Sequence, residues 1–192
     1  MPDGEGPAEL EALVVDDERE VADAYALRLE GFCGVETAYG GPEALSMIGE
    51  QTADVVLLDR HMPDMSGDEV LERLTEENFD GRVVMVTAVD PGFDVLELPF
   101  DDYLCKPVER EDLRAVVDQQ RQILAYETLG EYFSVESKRA VVAAETRPDE
   151  RDNHDEYATL AERAERLQAR ARRLLEDDTL LTEFDAIGRE EL

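Results

Sequence analysis

Residues 55–59 read Val-Val-Leu-Leu-Asp, four consecutive apolar residues followed directly by a carboxylate. A continuous apolar run of this kind is typical of a strand that is covered on both faces. Helical spacing begins at Gly41 on one side of the run and at Ser66-Gly67 on the other. Helices on both sides of a buried strand are typical of an α/β fold, so this stretch predicts a parallel sheet between helical layers.

The same alternation of short β-rich runs with helical stretches extends from Leu13 to about Glu127. The strand candidates are residues 12–15, 34–38, 55–58, 83–86 and 102–105. Five such runs separated by helices imply right-handed crossovers, and therefore a five-stranded, doubly wound parallel sheet of the flavodoxin type. In such a sheet the binding crevice lies outside the carboxyl ends of the strands.

Beyond Thr128 the β-pattern disappears, which predicts two domains: an α/β domain over 8–127 and an all-α region over 128–192. One helix is expected to end the first domain over 109–127. Further helices are expected over 132–144 and 157–175, with a polar connector at 149–155 and a short tail piece near 180–187. Leu160, Leu167 and Leu174 recur every seven residues with alanines between them, and this seam favours an antiparallel helix hairpin.

The charge is strongly one-sided: 19 basic residues against 49 acidic ones give a net charge of −30. Only Lys106 and Lys138 are lysines, and every other basic residue is arginine. Excess carboxylate with little lysine resembles proteins of salt-loving microbes, in which concentrated cations screen the repulsion between carboxylates. We therefore expect low salt to loosen the fold. The same negative charge argues against a protein whose whole surface binds nucleic acid.

The remaining composition favours a cytoplasmic protein. No apolar run approaches the 18 residues that a membrane helix needs, and the acidic start lacks the features of a signal peptide. Cys33 and Cys105 are too few for a disulfide framework and lack metal-ligand spacing, so both are expected to be reduced.

Polar residues stand where four of the predicted strands end. Asp16-Asp17 follow the first strand, Asp59 the third, Thr87 the fourth and Lys106 the fifth. Taken singly, the acidic pair is equally compatible with a solvated strand end or a helix N-cap, and an ordinary strand residue is the favoured interpretation of Thr87. Taken together, they converge on one edge of the sheet, where clustered carboxylates are costly unless a cation neutralises them.

Magnesium fits this edge best, because it prefers oxygen ligands and is usually held by one or two carboxylates and a phosphate. With the ion in place, one carboxylate can form an aspartyl phosphate. Thr87 and Lys106 would supply a hydrogen-bond donor and a fixed cation for the transferred group. The peptide bond between Lys106 and Pro107 could be cis or trans on sequence grounds.

These residues, in this order, resemble the receiver domain of two-component response regulators, the CheY-like fold, over roughly residues 10–127. The matching stretches are Leu13-Val14-Val15-Asp16-Asp17, Leu58-Asp59-Arg60-His61-Met62-Pro63-Asp64-Met65-Ser66-Gly67, Val86-Thr87-Ala88 and Tyr103-Leu104-Cys105-Lys106-Pro107. The resemblance implies a protein that receives a phosphoryl group from the phosphohistidine of a sensor histidine kinase.

The resemblance also implies a role for each residue at the strand ends. Asp59 is the phosphoacceptor. Asp17 binds Mg²⁺ directly and Asp16 largely through water, while Asp59 and the backbone carbonyl of His61 complete the protein ligands. The phosphoryl-binding residues are Thr87, Ala88 and Lys106, and the switch residues are Thr87 and Tyr103.

The sequence departs from the family over residues 90–100, a segment that is shorter than usual and contains two prolines. At most a short helix fits there, with Asp90 as its N-cap and Pro91 at its first position. In the family this segment forms part of the surface that dimerises or binds partners after phosphorylation, so the output surface of this chain stays open.

The C-terminal region resembles the HalX helical output region of haloarchaeal receivers. Its basic stretch comprises Arg163, Arg166, Arg170, Arg172 and Arg173. We favour a solvated face, partly paired with neighbouring glutamates, over contact with nucleic acid. Protein contact through the helices is the favoured output, with homodimerisation and transcriptional regulation left open.

The sequence thus favours a phosphorylation-switched signalling protein rather than an enzyme that turns over an external substrate. One alternative is a phosphatase or phosphotransferase that uses an aspartyl phosphate, but no second carboxylate stands two residues after Asp59 to act as its acid and base. Another alternative is a scaffold whose acidic cluster binds a structural cation without phosphorylation.

Overall fold

The structure is a computed structural model that describes residues 10–50, 53–88, 91–151, 154–175, 179 and 181–182. It divides into two compact units, one up to Arg121 and one from Gln122 onward, and each is described by itself. The boundary expected at 127 therefore stays a prediction, because the division falls inside a helix.

The first unit is built on a five-stranded sheet in which every neighbouring pair is parallel. Its strands are β1 (Glu11–Val15), β2 (Gly34–Ala38), β3 (Val55–Leu58), β4 (Arg82–Thr87) and β5 (Asp102–Cys105), in the spatial order β2-β1-β3-β4-β5. The predicted doubly wound α/β fold is confirmed. The strand order reverses between β1 and β3, and the carboxyl ends of these two strands flank the crevice that such a sheet offers to ligands.

Both faces of the central strand β3 are buried, as its apolar run predicts. In β3 all four side chains, Val55 to Leu58, are at most 1% exposed, although successive residues point to opposite faces. On one face the core residues of the strands pack with helix α2 (Gly41–Glu50) and helix α3 (Gly67–Glu76). Helix α1 (Arg19–Leu29) contacts the helix that follows β5 through hydrogen bonds donated by Arg114.

Local sequence signals define the ends of these helices. Ser66 accepts a hydrogen bond from the Glu69 N–H, and the Glu69 side chain accepts one from the Ser66 N–H, which forms a capping box at the start of α3. Helix α1 ends at Leu29, two residues before Gly31, whose φ of 69° favours glycine. The start of α3 therefore lies directly after the loop that follows Asp59.

The segment between β4 and β5 contains a 3-10 helix, Phe93–Glu97. The short helix was expected, but its start was wrong: Gly92 is the N-cap and makes no side-chain cap bond. Asp90 lies outside the described residues. Within this helix Val95 is buried, at 8% exposed.

The last helix of the first unit does not end where the sequence suggested. Helix α4 runs without a break over Arg110–Glu145, so the separate helices expected over 109–127 and 132–144 were wrong. Thr128 donates a hydrogen bond to the Leu124 carbonyl inside the helix, and Leu129 is buried. Gly130 faces open space, and a helical glycine costs only about 1 kcal/mol, which the packing of its neighbours offsets.

In the second unit, α4 is followed by a short helix α5 (Pro148–Arg151) and by α6 (Asp155–Leu174). The polar connector expected over 149–155 was wrong in part, because α5 extends to Arg151 and α6 already begins at Asp155. Of the predicted tail piece at 180–187, only Leu181 and Thr182 lie within the described residues. In the parts of the chain that the structure describes, no helix is long and apolar enough to cross a membrane.

Helices α4 and α6 run antiparallel. The Arg163 guanidinium lies 2.9 Å from the Glu131 carboxylate, whereas the Arg139 guanidinium lies 5.7 Å from the ring centre of Tyr157, so rising numbers in α4 meet falling numbers in α6. The shared core of this hairpin contains Leu129, Tyr132, Val135, Ala164 and Ala171, with Leu160 and Leu167 packed against it. The small alanines let the two helices approach closely.

Candidate functional site

Strand pairing brings Asp16 and Asp59 together. Val15 and Leu58, the last residues of β1 and β3, are partners in the register, so the aspartates that follow them are neighbours. The Asp59 N–H donates to the Val15 carbonyl at 2.9 Å, and the Asp16 N–H donates to the Ala38 carbonyl at 3.1 Å. Both backbones are thus fixed by continuation of the sheet beyond the strand ends.

Three carboxylates meet at this edge. One oxygen each from Asp16, Asp17 and Asp59 lies within 4.8 Å of the other two. Asp16 is 2% and Asp59 6% exposed, whereas Asp17 is half-buried at the surface of the group. We call these three residues the acidic cluster. It is a convergence of oxygen ligands that water screens poorly.

Lys106 supplies the positive charge next to the acidic cluster. Its Nζ lies 2.6 Å from Asp16 Oδ2 and 3.0 Å from Asp59 Oδ1. Its backbone N–H donates to the Thr87 carbonyl at 2.8 Å, which fixes the end of β5 to the end of β4. The ammonium contacts two of the three carboxylates of the acidic cluster, so the group keeps an excess of negative charge when all four side chains are ionised.

The protonation equilibria reflect this arrangement. Burial raises the pKa of Asp59 above its ordinary value, and the repulsion from Asp16 adds to this, while Lys106 and the His61 N–H oppose it. Burial alone would lower the pKa of Lys106, but hydrogen bonds and attraction from Asp16 and Asp59 outweigh it and raise that pKa. Lys106 is therefore a fixed cation at neutral pH.

The acidic cluster has the donor set that a magnesium ion requires. Its ligands are carboxylate oxygens from two neighbouring loops, with one half-buried member open to solvent. Like charges this close are unfavourable together, and a divalent cation would remove that repulsion. The observed carboxylates therefore fit the ion, with Asp16, Asp17 and Asp59 as the residues that would hold it.

The other predicted site residues lie on or just after β3, β4 and β5. His61 donates its backbone N–H to Asp59 Oδ2 at 3.2 Å, and its side chain is exposed. Thr87 is 1% exposed, and the following Ala88 is exposed. The Lys106–Pro107 peptide bond is cis. Tyr103 is half-buried, with its ring centre 5.6 Å from that of Phe100.

Gly67 is a structural requirement that the sequence-based list of site residues omitted. A Cβ on Gly67 would lie 2.2 Å from the Asp59 carbonyl oxygen and 2.9 Å from the Arg60 Cα. Only glycine permits the start of α3 to pass this close to the backbone of Asp59. The signal was present in the sequence, because Gly67 follows an N-cap serine in a loop that must return to the strand end.

Comparison with known proteins points to one family for each part of the chain. Residues 12–118 match the family described as response regulator receiver domain, and residues 122–188 match the HalX domain. Among solved structures, a CheY-like response regulator receiver domain from Methanospirillum hungatei superposes with a TM-score of 0.54 at 28% identity, over 59% of this chain and 98% of that one. DrrB, an OmpR/PhoB homolog from Thermotoga maritima, gives 0.53 at 30% identity, over 58% of this chain and 52% of DrrB.

Two curated relatives extend this likeness. A protein of Haloferax volcanii described as "Putative transcriptional regulator" is 46% identical over 137 residues, which are 70% of this chain and 23% of that protein. The transcriptional regulatory protein CutR of Streptomyces coelicolor is 42% identical over 113 residues, 56% of this chain and 52% of CutR. The match thus spans between about a quarter and about half of the length of these relatives.

Proposed function

Because this chain belongs to the response regulator receiver family, we propose that Asp59 accepts a phosphoryl group from the phosphohistidine of a sensor histidine kinase. The observation that carries the proposal is the acidic cluster with Lys106 bound to both Asp16 and Asp59. A carboxylate nucleophile beside a fixed cation is what phosphoryl transfer needs, because catalysis of this reaction is mainly positioning and charge stabilisation.

The transfer balances without a further reactant. An oxygen of the Asp59 carboxylate attacks phosphorus, the phosphorus–nitrogen bond of the phosphohistidine breaks, and its electron pair returns to the imidazole. Burial keeps water away from Asp59, and Lys106 stabilises charge on the transferred oxygens. The product is an aspartyl phosphate on this chain.

We assign the remaining roles to the residues around this group. Asp16, Asp17, Asp59 and the His61 carbonyl would hold Mg²⁺, which supplies positive charge to offset the carboxylates and the phosphoryl oxygens. Thr87 and Ala88, directly at the end of β4, would donate to the phosphoryl group together with Lys106. Tyr103 would be the switch residue that responds to a shift of Thr87.

The output would pass through the C-terminal helices. The HalX match and the names of the relatives support a role in transcriptional regulation. Within the helical unit Arg163 is already paired with Glu131, which supports contact with protein rather than with nucleic acid. A gel-shift assay in molar KCl is expected to show no binding of duplex DNA. Binding in that salt that Arg166→Gln abolishes would contradict the assignment.

The direct test is phosphorylation by acetyl phosphate in molar KCl, followed by intact mass spectrometry. We expect the mass of one phosphoryl group to be added with Mg²⁺, none with EDTA and none in Asp59→Asn. Asp64→Asn is the matched control, because Asp64 is an exposed carboxylate in the same loop and asparagine tolerates its φ of 66°.

Each other outcome would contradict the proposal in a distinct way. Sustained hydrolysis of small phosphoesters would show an aspartyl-phosphate enzyme. Cation binding without any gain in mass would show a scaffold. Equal labelling of wild type and Asp59→Asn would move the phosphoacceptor elsewhere.

A further inference from the structure

The loop between β3 and α3 is closed by an ion pair that the proposed chemistry does not use. Arg60 stands directly after Asp59, and Asp68 is the second residue of α3. Arg60 Nε lies 3.1 Å from Asp68 Oδ1 and 3.2 Å from Oδ2, while Nη2 lies 3.1 Å from Oδ2. We call this pair the Arg60–Asp68 clamp.

The geometry of the clamp sets it apart from an ordinary surface pair. Two nitrogens of one guanidinium face both oxygens of one carboxylate, which is the strong, directional form of this interaction. The Arg60 side chain is 14% and the Asp68 side chain 35% exposed, so salt screens the pair less than it would an exposed one. The clamp can therefore persist in the salt that this acidic chain is expected to need.

Backbone N–H groups also hold residues 59–61 in place. The Gly67 N–H donates to the Arg60 carbonyl at 2.9 Å, which joins the two ends of the loop a second time. On the other side, the His61 N–H donates to Asp59 Oδ2 at 3.2 Å. Residue 60 is thus held through its side chain and its backbone, and it connects the phosphoacceptor to His61.

We propose that the Arg60–Asp68 clamp positions the backbone of residues 59–61 for cation binding, an inference that rests on the magnesium site proposed above. A neutral carbonyl such as that of His61 is a weaker ligand than a carboxylate, so its contribution depends on orientation by its neighbours. Partners that orient metal ligands typically change metal affinity by about 10- to 100-fold when they are removed. Because Arg60 acts one residue away from the carbonyl, we expect the lower end of this range.

The test is isothermal titration of Mg²⁺ into the full chain in molar KCl. Arg60→Met and Asp68→Ala are each expected to raise the Mg²⁺ dissociation constant about tenfold. The reversed pair, Arg60→Asp with Asp68→Arg, is expected to recover most of the affinity. Arg73→Met is the matched control, because it removes an exposed arginine from α3, the helix that carries Asp68. This variant is expected to leave the dissociation constant unchanged.

The two single variants distinguish positioning from charge. Loss of a nearby positive charge should tighten cation binding and loss of a negative charge should weaken it, so a purely electrostatic role predicts opposite effects. Positioning predicts that both variants weaken binding. A dissociation constant that stays the same or falls in Arg60→Met would overturn the inference, as would a reversed pair no better than the single variants.

Folding and the proposed function are separated by two further measurements. Thermal unfolding by circular dichroism shows whether each variant is folded at the titration temperature. A clamp that is merely structural would lower Tm without changing the affinity of the folded protein, and that result overturns the inference. If Arg60→Met does not fold, Arg60→Lys decides it, because lysine keeps the charge but cannot place two nitrogens on the Asp68 carboxylate. Positioning predicts weaker Mg²⁺ binding in Arg60→Lys, and an unchanged dissociation constant would overturn the inference. The magnesium site itself is tested by Asp17→Asn. If the wild type binds no Mg²⁺, or binds it as tightly as Asp17→Asn does, the site is refuted.

Discussion

The two ends of the central sheet bury polar groups in opposite ways. At the carboxyl end, the acidic cluster of Asp16, Asp17 and Asp59 has one ammonium beside it, that of Lys106, which contacts Asp16 and Asp59. At the amino end of β4 and β5, the charged and amide groups of four residues are matched in a chain of bonds: Arg82, Asp101, Asp102 and Gln120. Both groups lie in the same unit, so the difference is one of composition rather than of fold.

The amino-end network is matched in detail. Arg82 Nε donates to Gln120 Oε1 at 3.1 Å, and Gln120 Nε2 donates to Asp102 Oδ2 at 3.1 Å. Arg82 Nη2 also lies 3.1 Å from Asp101 Oδ1. Gln120 is 1% exposed, yet both ends of its amide have partners. This is how a buried polar group contributes to stability.

This difference in pairing indicates that the amino end has a structural role and the carboxyl end a functional one. Where the chain only needs a stable sheet end, each buried polar group has a matching partner. At the opposite end it keeps an excess of carboxylate that costs stability in the absence of a cation. Such a cost is expected where a ligand completes the site, and the following predictions test that interpretation.

The largest difference between the two ends is expected when each of them loses a positively charged side chain. Lys106→Met should lower the rate of phosphorylation by acetyl phosphate by about 10²- to 10³-fold, the range found when a charge-stabilising donor is lost. Arg82→Met removes an equal charge at the amino end and should leave the rate nearly unchanged. Quenched samples analysed by intact mass spectrometry give both rates. A similar loss in the two variants would abolish the distinction between the ends.

A smaller effect is expected on stability at the amino end. Gln120→Leu leaves Asp102 and Arg82 each without one buried hydrogen bond, so we expect the free energy of unfolding to fall by about 1–3 kcal/mol. Gln119→Leu is the matched control, since Gln119 is exposed on the same helix. Urea unfolding in molar KCl measures both. Equal stability of the two variants would show that the network contributes nothing.

The smallest effect is expected from Asp59→Asn in EDTA. Because burial raises the pKa of Asp59, the folded protein binds its proton more tightly than the unfolded chain does. Binding of this proton stabilises the folded protein below the ordinary pKa of an aspartate, and this stabilisation is lost as the pH rises through the pKa of Asp59 in the folded protein. At pH 7 the ionised Asp59 carboxylate therefore destabilises the protein.

Asp59→Asn should therefore raise Tm by a few degrees at pH 7, and the gain should shrink as the pH falls through the raised pKa. Thermal unfolding monitored by circular dichroism between pH 7 and pH 4 checks the sign. A lower Tm for the variant at pH 7 without Mg²⁺ would contradict the assignment of an unfavourable carboxylate cluster.

The residues at the carboxyl end of the sheet could be predicted from the sequence, because each of them lies directly after a strand that a short apolar run identifies. The runs at 34–38, 55–58 and 102–105 coincide with β2, β3 and β5. Once the strands are parallel, their ends must share an edge, which is where Asp16, Asp59 and Lys106 lie in the structure. The roles assigned to them in phosphoryl transfer stay predictions.

The amino-end network was not predicted, because its partners are 18 and 38 residues apart and each resembles an ordinary surface residue. One signal was available. Gln120 falls three and four residues after Val117 and Val116, and four before Leu124, on the apolar stripe of α4. A polar residue on such a stripe needs a buried partner, but sequence spacing alone does not identify which one.

The position of a bound cation tests most directly whether the acidic cluster is a cation site. We propose anomalous diffraction from crystals of the full chain grown with Mn²⁺, which binds the same oxygen ligands as Mg²⁺. We expect one strong peak at the carboxyl end of β1 and β3, bonded to Asp17 and Asp59, and its loss in Asp17→Asn. A peak bound elsewhere, or none at saturating Mn²⁺, would contradict the cation-dependent site from which every assigned role follows.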